Sequence, residues 1–103
     1  MKAKTKKALE RAGWRVGTVA EFLSLSREEE GLIELKLGLV NGVRALRIKQ
    51  GLTQTDLANQ LGSSQSRVAK IEAGDRTVSI DLLMRTLLTL GATKKQIAKL
   101  IAA

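Results

Sequence analysis

Residues 52–74, LTQTDLANQLGSSQSRVAKIEAG, constrain this chain more than any other stretch. Thr53 is placed to cap a helix by accepting from the amide three residues on, where Asp56 also sits favourably near the positive helix end. Leu57, Ala58 and Leu61 then fall on one apolar face, and Gly62 supplies the left-handed residue that stops a helix. Ser64 is the next cap. Behind it Val68 and Ile71, three apart, must face inward, which leaves Gln65, Ser66, Arg67 and Lys70 outside. The spacing therefore predicts two short helices joined by a tight turn.

That arrangement is the geometry of a helix-turn-helix unit, in which the first helix crosses the DNA backbone and the second enters the major groove with its N-terminal residues toward base edges. At Leu52, Thr53, Gln54, Ala58, Gly62, Glu72, Ala73 and Gly74 the sequence resembles the Cro/repressor type of helix-turn-helix, the xenobiotic-response-element family. The resemblance covers about half the chain, from near Leu39 to near Ala92. It implies an all-α, five-helix Cro/repressor-like bundle, here with an N-terminal helical extension, and double-stranded DNA as partner.

Composition agrees with helices. In 103 residues there is no Pro, one Phe and one Trp, so strand-forming aromatics and hairpin turns are scarce, and the length suits one domain. A net charge of +8 points to a polyanionic partner, nucleic acid before an anionic membrane. Without Cys or His, disulfides, the usual zinc sites and His- or Cys-based catalysis are excluded. No apolar run follows the basic N-terminus and none approaches a membrane span, so a soluble, cytoplasmic protein is expected.

The charge is unevenly spread. Residues 1–15 carry six basic side chains against Glu10, whereas residues 16–36 carry five glutamates against Arg27 and Lys36. Residues 1–25 read as a basic arm with a short helical extension, and 26–103 as the DNA-binding domain. Within the arm, Thr18 with Glu21 makes a capping-box pattern leading into Val19, Phe22 and Leu23, which predicts a helix near residues 19–24.

Ser26 with Glu29 repeats the pattern and opens a long helix to about Gln50. Along it Leu32, Leu35, Leu39, Val43 and Leu46 form one apolar stripe, and Ile33, Leu37 and Val40 a second. The first serves packing against the following helices. The second needs a cover, either the Trp14, Phe22 and Leu25 segment folded back or a second subunit. Gly31, Gly38 and Gly42 each weaken the helix by about 0.5–1 kcal/mol relative to Ala, to be offset by close helix approach or expressed as a break near Gly38. Ser79 caps a helix over residues 80–90 with Ile80, Leu83, Leu87 and Leu90 inward and Leu82 and Met84 as extra apolar surface. Gly91 ends it, and Thr93 with Gln96 introduces a last helix through Ile97, Leu100 and Ile101.

Contacts to DNA divide into phosphate positioning and base reading. By the resemblance, Gln54 reaches a phosphate and touches the recognition glutamine, and Gln65 is that glutamine. An amide there pairs with N6 and N7 of adenine, worth roughly 1–3 kcal/mol of discrimination. Ser64 and Ser66 offer hydroxyls beside it, Arg67 faces a phosphate by preference over guanine, and Lys70 reaches a guanine or the backbone. Arg76 lies in a loop that in the resembled family meets phosphate, with Arg44 and Lys49 as weaker candidates for the same role. Arg47 and Glu72 stand where that family often has a salt bridge holding the recognition helix.

No cofactor or metal is expected, and an enzyme is not: Ser64 and Ser66 have no His to activate them, and no Gly-rich loop follows a strand. The expectation is a sequence-specific transcriptional regulator, a repressor acting as a homodimer. The alternative, from a looser similarity that includes residues 12–15 and Phe22-Leu23, is a HigA-like antitoxin that binds a small toxin and represses its own operon. A third reading has the basic N-terminus lie on a membrane surface, which predicts liposome binding lost on deleting residues 1–15.

Overall fold

In the computed structural model, which describes residues 26–102, each helix begins where the sequence supplies a hydroxyl cap. Ser26 Oγ accepts from the Glu29 amide at 3.1 Å and opens α1, Arg27–Lys49, while the Glu29 carboxylate accepts from the Ser26 hydroxyl at 3.2 Å. Glu28, Glu29 and Glu30 in the first turn complement the helix dipole. A full capping box opens α2, Gln54–Leu61: Thr53 Oγ1 accepts from the Asp56 amide at 3.0 Å and the Asp56 carboxylate accepts from the Thr53 amide at 2.9 Å. Ser64 caps α3, Gln65–Glu72; Ser79 caps α4, Ile80–Thr89; and Thr93 with Gln96 forms the reciprocal pair that starts α5, Lys94–Ala102.

The turn between α2 and α3 depends on Gly62. Its φ of 63° lies in the left-handed region, which lets the Ser63 amide fold back onto the Ala58 carbonyl at 2.9 Å. The five helices of the described residues form one all-α bundle, and α1 is its spine, packing against α4, α5 and α3 while α2 and α3 pack on each other. The core is Leu39 and Val43 of α1, Leu57 and Ala58 of α2, Val68 and Ile71 of α3, and Leu83 and Leu87 of α4, with Leu90, Ala92 and Ile97 closing it below. Val68 and Ile71 are fully buried, which turns Gln65, Ser66, Arg67 and Lys70 of α3 outward.

The two stripes of α1 divide differently from the sequence expectation. Leu39 and Val43 of the first stripe are buried, but Leu32 is 53% exposed and Leu35 37%. In the second stripe Ile33 and Val40 are buried and Leu37 half-buried. The reason is length. With 23 residues α1 runs about 34 Å, while α4, its main partner, has 10 residues and runs about 15 Å, so α4 covers only part of α1, and in the N-terminal turns Ile33 is buried while Leu32 and Leu35 stay exposed. Leu82 and Met84 are half-buried against the core and not surplus surface. Ile101 faces outward, unlike Ile97. The proposed cover by Trp14, Phe22 and Leu25, and the helix near 19–24, lie outside the described residues.

α1 is unbroken through Gly38 and Gly42. Close approach explains both: a Cβ on Gly38 would lie 2.8 Å from the Leu100 carbonyl oxygen, and one on Gly42 would fall onto the Leu100 side chain. Gly31 meets nothing of this kind.

Candidate nucleic-acid interface

The exposed face of α3 is braced from below by a line of polar side chains. Arg47 of α1 donates from Nε and Nη2 to the two carboxylate oxygens of Glu72, at 2.5 and 2.9 Å, and from Nη1 to the Leu52 carbonyl at 2.7 Å. Only 13% of the Arg47 side chain and 4% of the Glu72 side chain are exposed. The bidentate bond to Glu72 holds the guanidinium above its ordinary value against the opposing effect of burial. The same carboxylate accepts from Gln54 Nε2 at 3.4 Å, and Gln54 Oε1 accepts from Gln65 Nε2 at 2.7 Å. The chain Arg47, Glu72, Gln54, Gln65 thus runs from the spine helix to the first residue of α3.

This geometry determines what Gln65 presents. An amide has two N–H donors and one oxygen. Gln65 gives one donor to Gln54, and its remaining donor and oxygen stand at the exposed N-terminus of α3, the pair of groups that matches an adenine edge.

Ser66, Arg67 and Lys70 are exposed on the same helix, and with Ser64, Thr77, Val78 and Leu82 they line one cleft of about 300 Å³. Ser64 spends an acceptor site of its hydroxyl on the Arg67 amide at 3.2 Å, so its first task is capping. Arg76 is exposed and does not line that cleft; it lines a neighbouring one with Leu32, Ile33, Lys36 and Ile80, the two clefts meeting at Thr77 and Val78. Lys49 lines a third, apolar cleft with Gly42, Leu87 and Leu100, to which α2 and α3 contribute nothing, so it is not brought to the α3 face. Arg44 is exposed on α1.

The loop after α3 is itself structured. The Asp75 carboxylate accepts from the Thr77 amide at 2.9 Å and from the Thr77 hydroxyl at 2.6 Å, and these bonds hold Asp75 below its ordinary value of 3.8, with Lys70 and Lys36 adding to the effect. Thr77 therefore has its donors turned inward, which leaves the Arg76 side chain as the loop's outward cation. The pattern of Asp two residues before Thr is a readable turn signal. Lys36, whose Nζ donates to the Arg76 carbonyl at 3.0 Å, has no such signal, because 40 residues separate the partners.

Two short helices packed on each other across a tight turn at Gly62, with a polar outward face on the second, define a helix-turn-helix unit of the DNA-binding, transcription-regulating class. A family model described as helix-turn-helix matches residues 43–95, just over half of the chain, and the chain belongs to that family. No curated protein and no solved structure matched the chain. No helix among the described residues is long and apolar enough to cross a membrane.

Proposed function

We propose that this chain is a sequence-specific repressor that acts as a homodimer on double-stranded DNA, with Gln65 reading an adenine. The observation that carries this reading is the bracing of Gln65 by Gln54, Glu72 and Arg47: a reader held before DNA arrives loses less side-chain entropy on binding. Ser66 and Lys70 extend the reading along the groove, Gln54, Ser64, Arg67 and Arg76 meet phosphates, and residues 1–25 form a basic arm attached to the domain. One unit spans only a few base pairs, so two symmetric half-sites give the affinity a regulator needs. The test is a gel shift on the gene's own promoter at one salt concentration, comparing the parent with Gln65→Ala and Lys70→Ala. Variants that bind the promoter as tightly as the parent, and no parent preference over random DNA, contradict base reading.

A second reading, an antitoxin that also binds a small toxin, is favoured by one feature. The N-terminal half of α1 lies outside the matched region and exposes Leu32 and Leu35 beside Glu28, Glu29 and Glu34. Co-purification with a basic, ribonuclease-like protein encoded next door decides for it, and purification alone from cells expressing that neighbour decides against.

A further inference from the structure

Lys36 lies outside the matched region, on the spine helix, 40 residues from the loop that its ammonium reaches. Its stem is half-buried along the cleft formed by Leu32, Ile33, Val78 and Ile80, and Nζ donates to the Arg76 carbonyl at 3.0 Å. Burial pushes the ammonium below its ordinary value of 10.5, while the nearby Asp75 carboxylate opposes that fall. A lysine taken partly out of water is held there by what it bonds, and here the bond fixes the backbone of the residue that carries the loop's outward cation.

We propose that Lys36 is a positioning residue for DNA binding: by holding the Arg76 carbonyl from α1, it sets the loop after α3 so that the Arg76 guanidinium meets a phosphate while α3 sits in the groove. The inference rests on the DNA-binding reading and assigns Lys36 no contact with DNA. Two side-chain anchors then add to the loop's backbone bonds, Asp75 on Thr77 from within and Lys36 on Arg76 from the spine. Losing the second loosens the loop at the Arg76 carbonyl, and affinity falls without a change in the bases preferred, because phosphate contacts position and do not read.

The experiment uses the full chain with Lys36→Met, which keeps the stem and removes the donor, and Lys36→Arg, which keeps a donor. Arg76→Ala is made in the parent and in Lys36→Met. Amide hydrogen exchange is measured without DNA, and affinity is measured at one salt concentration on a duplex enriched from random DNA by the parent. Lys36→Met is expected to speed exchange at residues 76–78 while leaving the core amides of α2 and α3 unchanged, and to weaken binding about tenfold, which is 1.4 kcal/mol. Lys36→Arg stays within about threefold of the parent, as a retained charged donor allows. In the Arg76→Ala background Lys36→Met adds little, since it acts through the residue already removed. Unchanged exchange at residues 76–78, or an equal loss from Lys36→Met in both backgrounds, overturns the proposal; the second result makes Lys36 a direct phosphate contact. A parent that enriches no duplex contradicts the DNA-binding reading and the role of Lys36 with it, while the exchange data still report whether the clip exists.

Discussion

Replacing Glu72 by Leu leaves the Arg47 guanidinium in a nearly closed site without its anion. The pair is joined by two short charge-assisted bonds, 2.5 and 2.9 Å, with 13% and 4% of the two side chains exposed. Breaking a buried pair of this kind costs about 3–5 kcal/mol. Arg47 keeps its bond to the Leu52 carbonyl and some access to water, which places the loss near the lower end, about 3 kcal/mol. That is a large part of the roughly 5–15 kcal/mol that holds a domain folded. Removing both charges, Arg47→Met with Glu72→Leu, also removes the desolvation of two ions, and the doubly substituted chain is expected within about 1–2 kcal/mol of the parent, the remainder being the Leu52 carbonyl left without its donor. Urea unfolding at neutral pH measures all four chains, urea being preferred because guanidinium salt screens charge. The doubly substituted chain should still bind DNA poorly, since Gln54 loses the carboxylate that orients it toward Gln65. A loss under about 1 kcal/mol for Glu72→Leu, or a double loss equal to the sum of the singles, would refute the reasoning.

The glycines of α1 should separate by sign. Gly31→Ala raises the unfolding midpoint, by about 0.5–1 kcal/mol of helix propensity, because nothing opposes a Cβ there. Gly38→Ala lowers it, the 2.8 Å approach to the backbone oxygen of Leu100 outweighing the same gain at an overpacking cost of about 1–3 kcal/mol. Acid should destabilise through Asp56 and Asp75. Donors from Thr53 and Thr77 hold both carboxyls below 3.8 in the folded chain, so the stability they give is complete above pH 3.8 and is lost as pH falls through the depressed values. Thermal melts across that limb should flatten in Asp56→Asn, and an unchanged slope would count against the capping box as its source.

Most of the bundle was legible because its punctuation is local. Ser26, Thr53, Ser64, Ser79 and Thr93 each sit one residue before a helix, and Val68 with Ile71 fixed which side of α3 faces out. Close approach at Gly38 and Gly42 was one of two readings the sequence allowed; the structure decides for it because Leu100 packs there, a fact set by tertiary contact and not by the residues of α1. The exposure of Leu32 and Leu35 could not be read from a stripe, since periodicity marks a face but not how far the partner helix extends along it. At the site, the outward set on α3 was legible from helical spacing, while the Gln54–Gln65 and Arg47–Glu72 contacts came from family resemblance and are present in the structure; the Gln54–Glu72 bond that links them is an addition of the structure. Lys36 and the separate placing of Lys49 were not legible, because both depend on where α1 lies against elements far off in sequence.

Selection of bound duplexes from random DNA, run in parallel for the parent and Gln65→Ala at one salt concentration, tests the central claim most directly. The parent should enrich two symmetric half-sites whose centres lie about 10–10.5 base pairs apart or a multiple of that. Gln65→Ala should lose preference at one adenine in each half-site, a discrimination of roughly 1–3 kcal/mol, and keep the rest of the pattern. The same adenine enriched by both chains, or no departure from random sequence by the parent, contradicts the assignment of Gln65 as the reader.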